Sequence, residues 1–438
     1  MIKKIFSLTA LVFAGLMAFA QDNVYPAPPQ TKPVAITNAT IHVGNGTVIE
    51  KGTIVFDNGK ITAVGTNASV PSGATVIDAS GKHVYPGLIL PNSQLGIQEV
   101  RAGTRATNDF QELGTMNPNV RTIVAYNTDS KITNTLRSNG VLLAEVVPNG
   151  GRLSGTSTMV QLDAWNWEDA AYRWDGIVHF RMPSLLNRPT GFGGGGFRPG
   201  GATGGDRIKA ALDEIEDVKN FFREARSYAQ VKNPKDVNLK FEALKPLFNK
   251  EGKLLIHCNT VKEMLVAIEF KKEFGFDIAI VGGSESFRIA DLLKENDVPV
   301  ILGSMHALPT TPDDDVDQPF KTPAMLHKAG VLFAIGDEDY HNRGRNMMFN
   351  AGTAVAYGLP KEAAISAMTL NTAKILGVAD KTGSLEVGKD ANIVISEGDI
   401  LDMRSSIVTH AFIQGRNINL DNKQRQLFER YKYKYNLK

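Results

Sequence analysis

Residues 351–395 read AGTAVAYGLPKEAAISAMTLNTAKILGVADKTGSLEVGKDANIVI, and this stretch decides how the chain is organised. Its first part has helical patterning through GLPKEAAISAMTLNTAKILG. Its second part, GSLEVGKDANIVISEG, is strand-like and precedes another strand-like run, IVTHAFIQGRNI. Near the other end, between Val34 and Val84, short β-prone runs (AITNATIHV, GTIVFDNGKITAVG, ATVIDASGKHVYPG) alternate with Asn-Gly and Asp-Asn-Gly turns. A small β domain shared by residues 34–84 and 383–420, built around a larger unit at 85–382, accounts for both ends. Residues 21–33 are a Pro-rich lead-in and 421–438 a helical tail.

The middle has a different rhythm. Apolar runs such as VLLAEVV, KLLIHC, DIAIVGG, VPVILG and VLFAIGD alternate with amphipathic stretches such as TVKEMLVAIEFKKEFG and SFRIADLLKEND. Strand-then-helix units with short connections predict parallel strands covered by helices, and the number of units favours an α/β barrel over a doubly wound sheet. The glycine-rich run from Arg188 to Asp206 lacks the spacing of a phosphate-cradling loop and is expected to be a surface loop before a helix over 206–230.

Composition narrows the function. The chain has 438 residues, 42% hydrophobic and 21% charged, which suits one large domain with a smaller partner. A net charge of +2, without a dense Lys/Arg cluster, argues against nucleic acid as a partner. The first twenty residues place Lys3 and Lys4 before an apolar run and end in Ala18-Phe19-Ala20, the pattern of a cleavable signal peptide with cleavage before Gln21. A secreted or periplasmic mature chain, without a transmembrane segment, is the expectation. One cysteine, Cys258, excludes an intramolecular disulfide. Cys258 adjoins His257, but neighbours on a strand point to opposite faces, so the two cannot form a nucleophilic dyad by adjacency.

The split β domain, the motif PGLI at 86–89, LLIHCNT at 254–260, and above all the 351–395 stretch resemble the amidohydrolase superfamily, in particular its imidazolonepropionase-like branch. The resemblance spans nearly all of the mature chain. It implies a distorted (β/α)8 TIM-type barrel beside a small β-sandwich domain, and one or two divalent ions, usually zinc, at the C-terminal mouth of the barrel. Such an ion polarises the scissile carbonyl and supplies hydroxide at neutral pH. The ligands that the resemblance implies are His-x-His after strand one, one His each after strands five and six, and an Asp after strand eight that also serves as the catalytic general base, the role it gives to Asp337 or Glu338 here.

Carried over residue by residue, the match is partial. Asn92 and Gln94 stand at the His-x-His positions, where neutral amides are feeble zinc ligands, and they become candidate substrate contacts. His257 fits the strand-five ligand. The strand-six position falls at Gly282 or Gly283, neither of which has a ligating side chain. In FAIGDED the register puts Glu338 at the strand-eight acid, and a shift of one brings Asp337 or Asp339 there. His306 and His341 are expected just past strands seven and eight, so His257, His306, His341 and one acid could rebuild a site for one ion. The plainer reading makes His306 and His341 loop residues. At most one divalent ion per chain, zinc if any, follows.

Elsewhere, VPNGGRLSGTSTMV at 147–160 offers glycine-rich backbone with Arg152, Ser154, Thr156 and Ser157 as contacts for a substrate carboxylate, or else is a connecting loop. Trp165, Trp167 and Trp174 would wall a pocket or pack against the barrel. The function expected is hydrolysis of a C–N bond other than a peptide bond, of cyclic amide or N-acyl type, in a small amide-like substrate. The other reading is a metal-poor barrel that binds a ligand or partner protein through the same mouth. Barrels of the family it resembles often pair through their helices, and the sequence leaves open whether this chain forms such a homo-oligomer.

Overall fold

The computed structural model describes residues 25–99, 109–186, 204–311, 313–337 and 343–437. The expected signal segment, most of the glycine-rich run, and Glu338, Asp339 and His341 lie outside them.

Two sheets organise the chain. The first is built from β1 (Val34–His42), β2 (Val48–Asp57), β3 (Lys60–Gly65), β4 (Thr75–Asp78) and β5 (His83–Pro86). The second comprises β6 (Leu88–Ser93), β7 (Val141–Val146), β8 (Leu153–Gln161), β9 (Ala171–Arg181), β10 (Lys253–Cys258), β11 (Ile278–Gly282), β12 (Val300–Leu302) and β13 (Phe333–Ile335). The chain then returns to the first sheet as β14 (Ile393–Ser396), β15 (Val408–Ile413) and β16 (Arg416–Asn417). Strand order in that sheet is β16-β15-β14-β5-β1-β2-β3, with β4 pairing β1, so β14 lies directly on β5 and joins the two chain ends.

The second sheet runs in order from β6 to β13 as a nearly closed barrel. Strands β9 to β13 are mutually parallel, as are β6 and β7, but β8 is antiparallel to both neighbours. Chain length explains the reversal. Only residues 147–152 link β7 to β8, with Gly150 and Gly151 at φ 89° and 65°, and a parallel crossover needs a dozen or more residues. The segment read as a connecting loop is therefore a hairpin turn followed by a strand.

Local sequence sets the helices. The helix Val261–Phe274 starts in a capping box, in which the Thr260 side chain accepts from Glu263 N–H and Glu263 reaches back to Thr260 N–H, and ends at Gly275 with φ 71°. The helix over 206–230 expected from the sequence is observed at Gly204–Ala229. The helical tail ends in Lys423–Lys434, which buries none of its side chains. Among the described residues no helix is long and apolar enough to cross a membrane.

Strand alternation divides the core into shells. Leu254, Ile256 and Cys258 pack outward beneath the helices, while Leu255 joins Ile89, Leu143, Met159, Ile177, Ala279, Val281, Ile301 and Ala334 inside the barrel. Ala373, Ile375, Leu376 and Val378 close that interior cluster from the N-terminal end of the strands. There Lys253 donates to the carbonyls of Lys374 and Ile375, satisfying the C-terminus of the helix Leu370–Ile375 with a cation. The three tryptophans lie at this same end, Trp167 and Trp174 edge to face at 5.9 Å, on the side of the barrel away from its mouth.

Candidate active site

Above the apolar layer the inward positions become polar. Glu145 on β7, His179 on β9 and His257 on β10 follow inward apolar residues on the same strands, Ser157 precedes Met159 on the antiparallel β8, and Glu145 and His179 are fully buried. His257 Nε2 lies 2.9 Å from His179 Nδ1, and His179 Nε2 lies 2.9 Å from Ser157 Oγ and 3.3 Å from Glu145 Oε1. Ser157 donates to Glu145 Oε1 at 2.7 Å, and Asn92 N–H donates to Glu145 Oε2 at 3.1 Å. On the other side of His257, Arg181 Nη1 stands 3.5 Å from Nδ1. Arg181 is held in turn by Ser154 Oγ at 3.2 Å and the Pro148 carbonyl at 3.3 Å.

The two ends of this chain of contacts fix its direction. A guanidinium only donates and a carboxylate only accepts, so His257 Nδ1 is an acceptor and its Nε2 carries the hydrogen. The same order assigns His179 Nδ1 as acceptor and its Nε2–H as donor towards Ser157 and Glu145. Burial alone would raise the Glu145 carboxyl, but the hydrogen bonds from His179, Ser157 and Asn92 outweigh it and hold the group below the usual carboxylate value. Burial, with the charge of Arg181 next and then His179, holds His257 well below the usual imidazole value, so it stays neutral near pH 7.

The other positions singled out from the sequence are spread around this centre. Asn92 adopts a left-handed backbone, φ 49°, at the end of β6, and the Gln94 carbonyl accepts from the amides of Ile97 and Gln98. Gly282 has φ 100°, and a Cβ there would come 2.6 Å from Asn259 Oδ1, so the strand-six position has neither a ligand nor room for one. Asp337 follows β13 and is buried, with Oδ2 3.3 Å from Asn350 Nδ2 and 3.7 Å from Arg343 Nε. His306 is exposed and turns to the outer helices, its Nε2 3.1 Å from Thr353 Oγ1 and its ring edge on Phe320. Arg152 pairs with Glu214 on the long helix Gly204–Ala229, both partly exposed. His257 and Asp337 thus share the barrel mouth, His306 does not join them, and Glu338 and His341 lie outside the described residues.

A divalent ion needs ligands with free lone pairs converging on one point. Among the described residues no group of three His, Cys, Asp or Glu could hold one. Both nitrogens of His257 are engaged, one by His179 and the other facing a guanidinium. The donor set described here does not fit the family's metal.

An open cleft of about 1440 Å³ lies over the C-terminal ends of β10 to β12, lined by Met182, His257, Asn259, Gly282, Ser304 and Thr310 among others. This is the end at which barrel enzymes carry their sites. Sequence reasoning missed Glu145, His179 and Arg181, and named Ser157 only as part of a loop that could bind a carboxylate. The available signal was alternation: Glu145 in VLLAEVV lies two residues after Leu143, and His179 and Arg181 in IVHFR continue the register of Ile177 on a buried strand.

The amidohydrolase family profile matches residues 201–418. The chain belongs to the amidohydrolase superfamily. It is 23% identical to an imidazolonepropionase of Mesorhizobium japonicum over 80% of this chain and 87% of that one, in keeping with the imidazolonepropionase-like branch. It is also 23% identical to the amidohydrolase tasK of Hapsidospora irregularis, covering 86% of this chain but only 42% of the relative's length. Among solved structures, an amidohydrolase from Thermotoga maritima superposes with a TM-score of 0.75 at 23% identity, covering 88% of this chain and 99% of that one. A molinate hydrolase superposes with a TM-score of 0.51 at 17% identity, over 90% and 96% of the two chains.

Proposed function

We propose that this amidohydrolase-family chain hydrolyses a C–N bond other than a peptide bond, in a cyclic amide or N-acyl compound, at the mouth of its barrel. The observation that supports the reading most is the run of hydrogen-bonding side chains from the fully buried Glu145 and His179 to His257, which lines an open cleft on the C-terminal side of the strands and has Arg181 beside it. Buried polar groups are costly unless each is satisfied, and a fold retains them at a barrel mouth where they meet a polar ligand. The cleft admits a small molecule and leaves the carbonyl of an amide within reach of the inward polar layer. The reading extends to export: residues 1–20 are removed and the mature chain begins at Gln21.

The experiment is a hydrolysis screen of residues 21–438 against cyclic ureides, cyclic imides and N-acyl amino acids, with release of amine or carboxylate as the readout. Turnover of at least one class, lost in His257→Ala protein that still folds, is the expected result. No turnover in any class, with or without added zinc or manganese, removes the proposal. Intact mass of the exported protein checks the second part, and retention of residues 1–20 would contradict it.

A further inference from the structure

The family's ligand positions in this chain are closed one by one, and the manner of closure is informative. The strand-one pair is Asn92 and Gln94, whose neutral side-chain amides are feeble ligands, and the Asn92 backbone N–H donates to Glu145. The strand-six position is Gly282, sealed by Asn259. Two described positions still carry ligating groups, and each faces an arginine: His257 has Arg181 Nη1 at 3.5 Å from Nδ1, and Asp337 has Arg343 Nε at 3.7 Å from Oδ2. Loss of ligands alone would leave an imidazole and a carboxylate with nothing in particular beside them. Instead a fixed positive charge stands against each.

We infer that Arg181, rather than a divalent ion, is the fixed positive charge of this barrel mouth, set against His257 to face the carbonyl oxygen of the amide. The inference rests on the proposed hydrolysis and names the residue that stabilises its charge.

Register supports the placement. Arg181 pairs directly with His257 across parallel strands β9 and β10, so both side chains leave the sheet on the inner face at one level. The guanidinium is anchored rather than swinging, because Ser154 Oγ and the Pro148 carbonyl hold its Nε and Nη2. Its nearest histidine nitrogen can only accept from it, as the chain through His179 to Glu145 requires. In the reaction, water adds to the carbonyl carbon, the C–N bond breaks, and one proton of the water ends on the departing nitrogen. Negative charge builds on the carbonyl oxygen before that bond breaks, and a preorganised guanidinium in a partly dry site stabilises it as an ion would. An arginine keeps its charge across the physiological pH range, so the site needs no metal supply.

Zinc titration against a chromophoric chelator tests this independently of substrate, using wild type, Arg181→His, Arg181→Gln and Arg181→His combined with His257→Gln, each checked for folding by circular dichroism. Wild type is expected to take up no zinc that depends on His257. Arg181→His puts two imidazoles at one register position and is expected to gain about tenfold or more in zinc affinity, lost again in the double variant. Arg181→Gln, with neither charge nor ligand, should gain nothing and reports folding if the histidine variant is unstable. Stoichiometric zinc in wild type that disappears in His257→Gln overturns the inference. So does a folded Arg181→His protein without the gain, because the guanidinium would then not stand where an ion can. Once a substrate is found, turnover should survive EDTA, and Arg181→Gln should lower kcat about 100-fold with KM little changed. Turnover abolished by EDTA and restored by zinc overturns it as well. A screen with no turnover defeats the proposed function, while the zinc titration still decides the role of Arg181.

Discussion

The barrel interior has two layers that answer to different rules. In the lower one Ile89, Leu143, Met159, Ile177, Leu255, Ala279, Ile301 and Ala334 meet around the axis, closed from beneath by Ile375 and Leu376. In the upper one, two residues further along several of the same strands, stand Glu145, Ser157, His179 and His257. The lower layer is the kind of core that any (β/α)8-like barrel requires, and hydrophobicity with roughly correct volume maintains it. The upper layer does not hold the barrel together by burial, because each of its members costs free energy to desolvate and recovers it only through its partners. Fold and mouth chemistry are therefore separable: the sequence can replace most of a metal site while the shell that shapes it persists.

The sharpest way to break the contrast is to remove the acceptor on which the upper layer depends. Glu145→Ala leaves Ser157, His179 and the Asn92 backbone N–H without their acceptor in a dry interior, and should cost about 3 kcal/mol or more, since each buried donor left unsatisfied costs about 1–3 kcal/mol. Urea unfolding at pH 7.5 measures it, and a loss below about 1 kcal/mol would mean that the layer relaxes as a surface does. The same layer should weaken the fold on the acid side. His257 stays unprotonated when folded, so below its ordinary value of 6.5 the unfolded chain binds a proton that the folded chain does not, and stability falls as pH drops. The Glu145 carboxyl is held below its ordinary 4.5, so its contribution is complete above that pH and is lost as pH falls through the folded value. His257→Gln should flatten the decline between pH 6.5 and 4.5. An unchanged slope would assign the acid sensitivity elsewhere.

A smaller effect is expected at the edge of the upper layer. Gly282→Ala forces a Cβ to 2.6 Å from Asn259 Oδ1 at a backbone φ of 100°, and should cost about 1–3 kcal/mol. Thermal melting checks this, and an unchanged melting temperature would show that Asn259 moves aside, leaving room for a side chain at the strand-six position.

What could be read from the sequence follows the same division. The split sheet, the barrel, and the opposite faces of His257 and Cys258 come from periodicity and chain order, which the apolar layer enforces, while the inward place of His257 came from the family resemblance. The reversal of β8 was hidden because VPNGGR carries turn residues that suit a loop as well as a hairpin. Without that strand the pairing of His179 with His257 could not be anticipated. Glu145 sat in an otherwise apolar run, where a lone carboxylate at an inward position was the readable sign. His306 shows the opposite error: its place after the seventh barrel strand was right, but strand order does not say which way a loop side chain turns, and Thr353 and Phe320 receive it.

The smallest expected effect separates rim from mouth. Arg152 was a candidate for a substrate carboxylate, yet in the structure its guanidinium is paired with Glu214, and both side chains are substantially exposed, 32% and 46%. A pair in that setting gains little over solvated ions, so Arg152→Ala should change stability by no more than about 1 kcal/mol, and less at high salt. Its effect on catalysis is then the informative quantity. If Arg152 only links the hairpin turn to the helix Gly204–Ala229, Glu214→Ala and Arg152→Ala will behave alike and KM for an acidic substrate will not move. If instead Arg152 leaves Glu214 to hold a carboxylate, Arg152→Ala alone will raise KM, Glu214→Ala will lower it by releasing the guanidinium, and the two variants will diverge. KM values for the two, measured on one N-acyl amino acid and one uncharged cyclic amide, decide between these outcomes, because only the acidic substrate should register the difference.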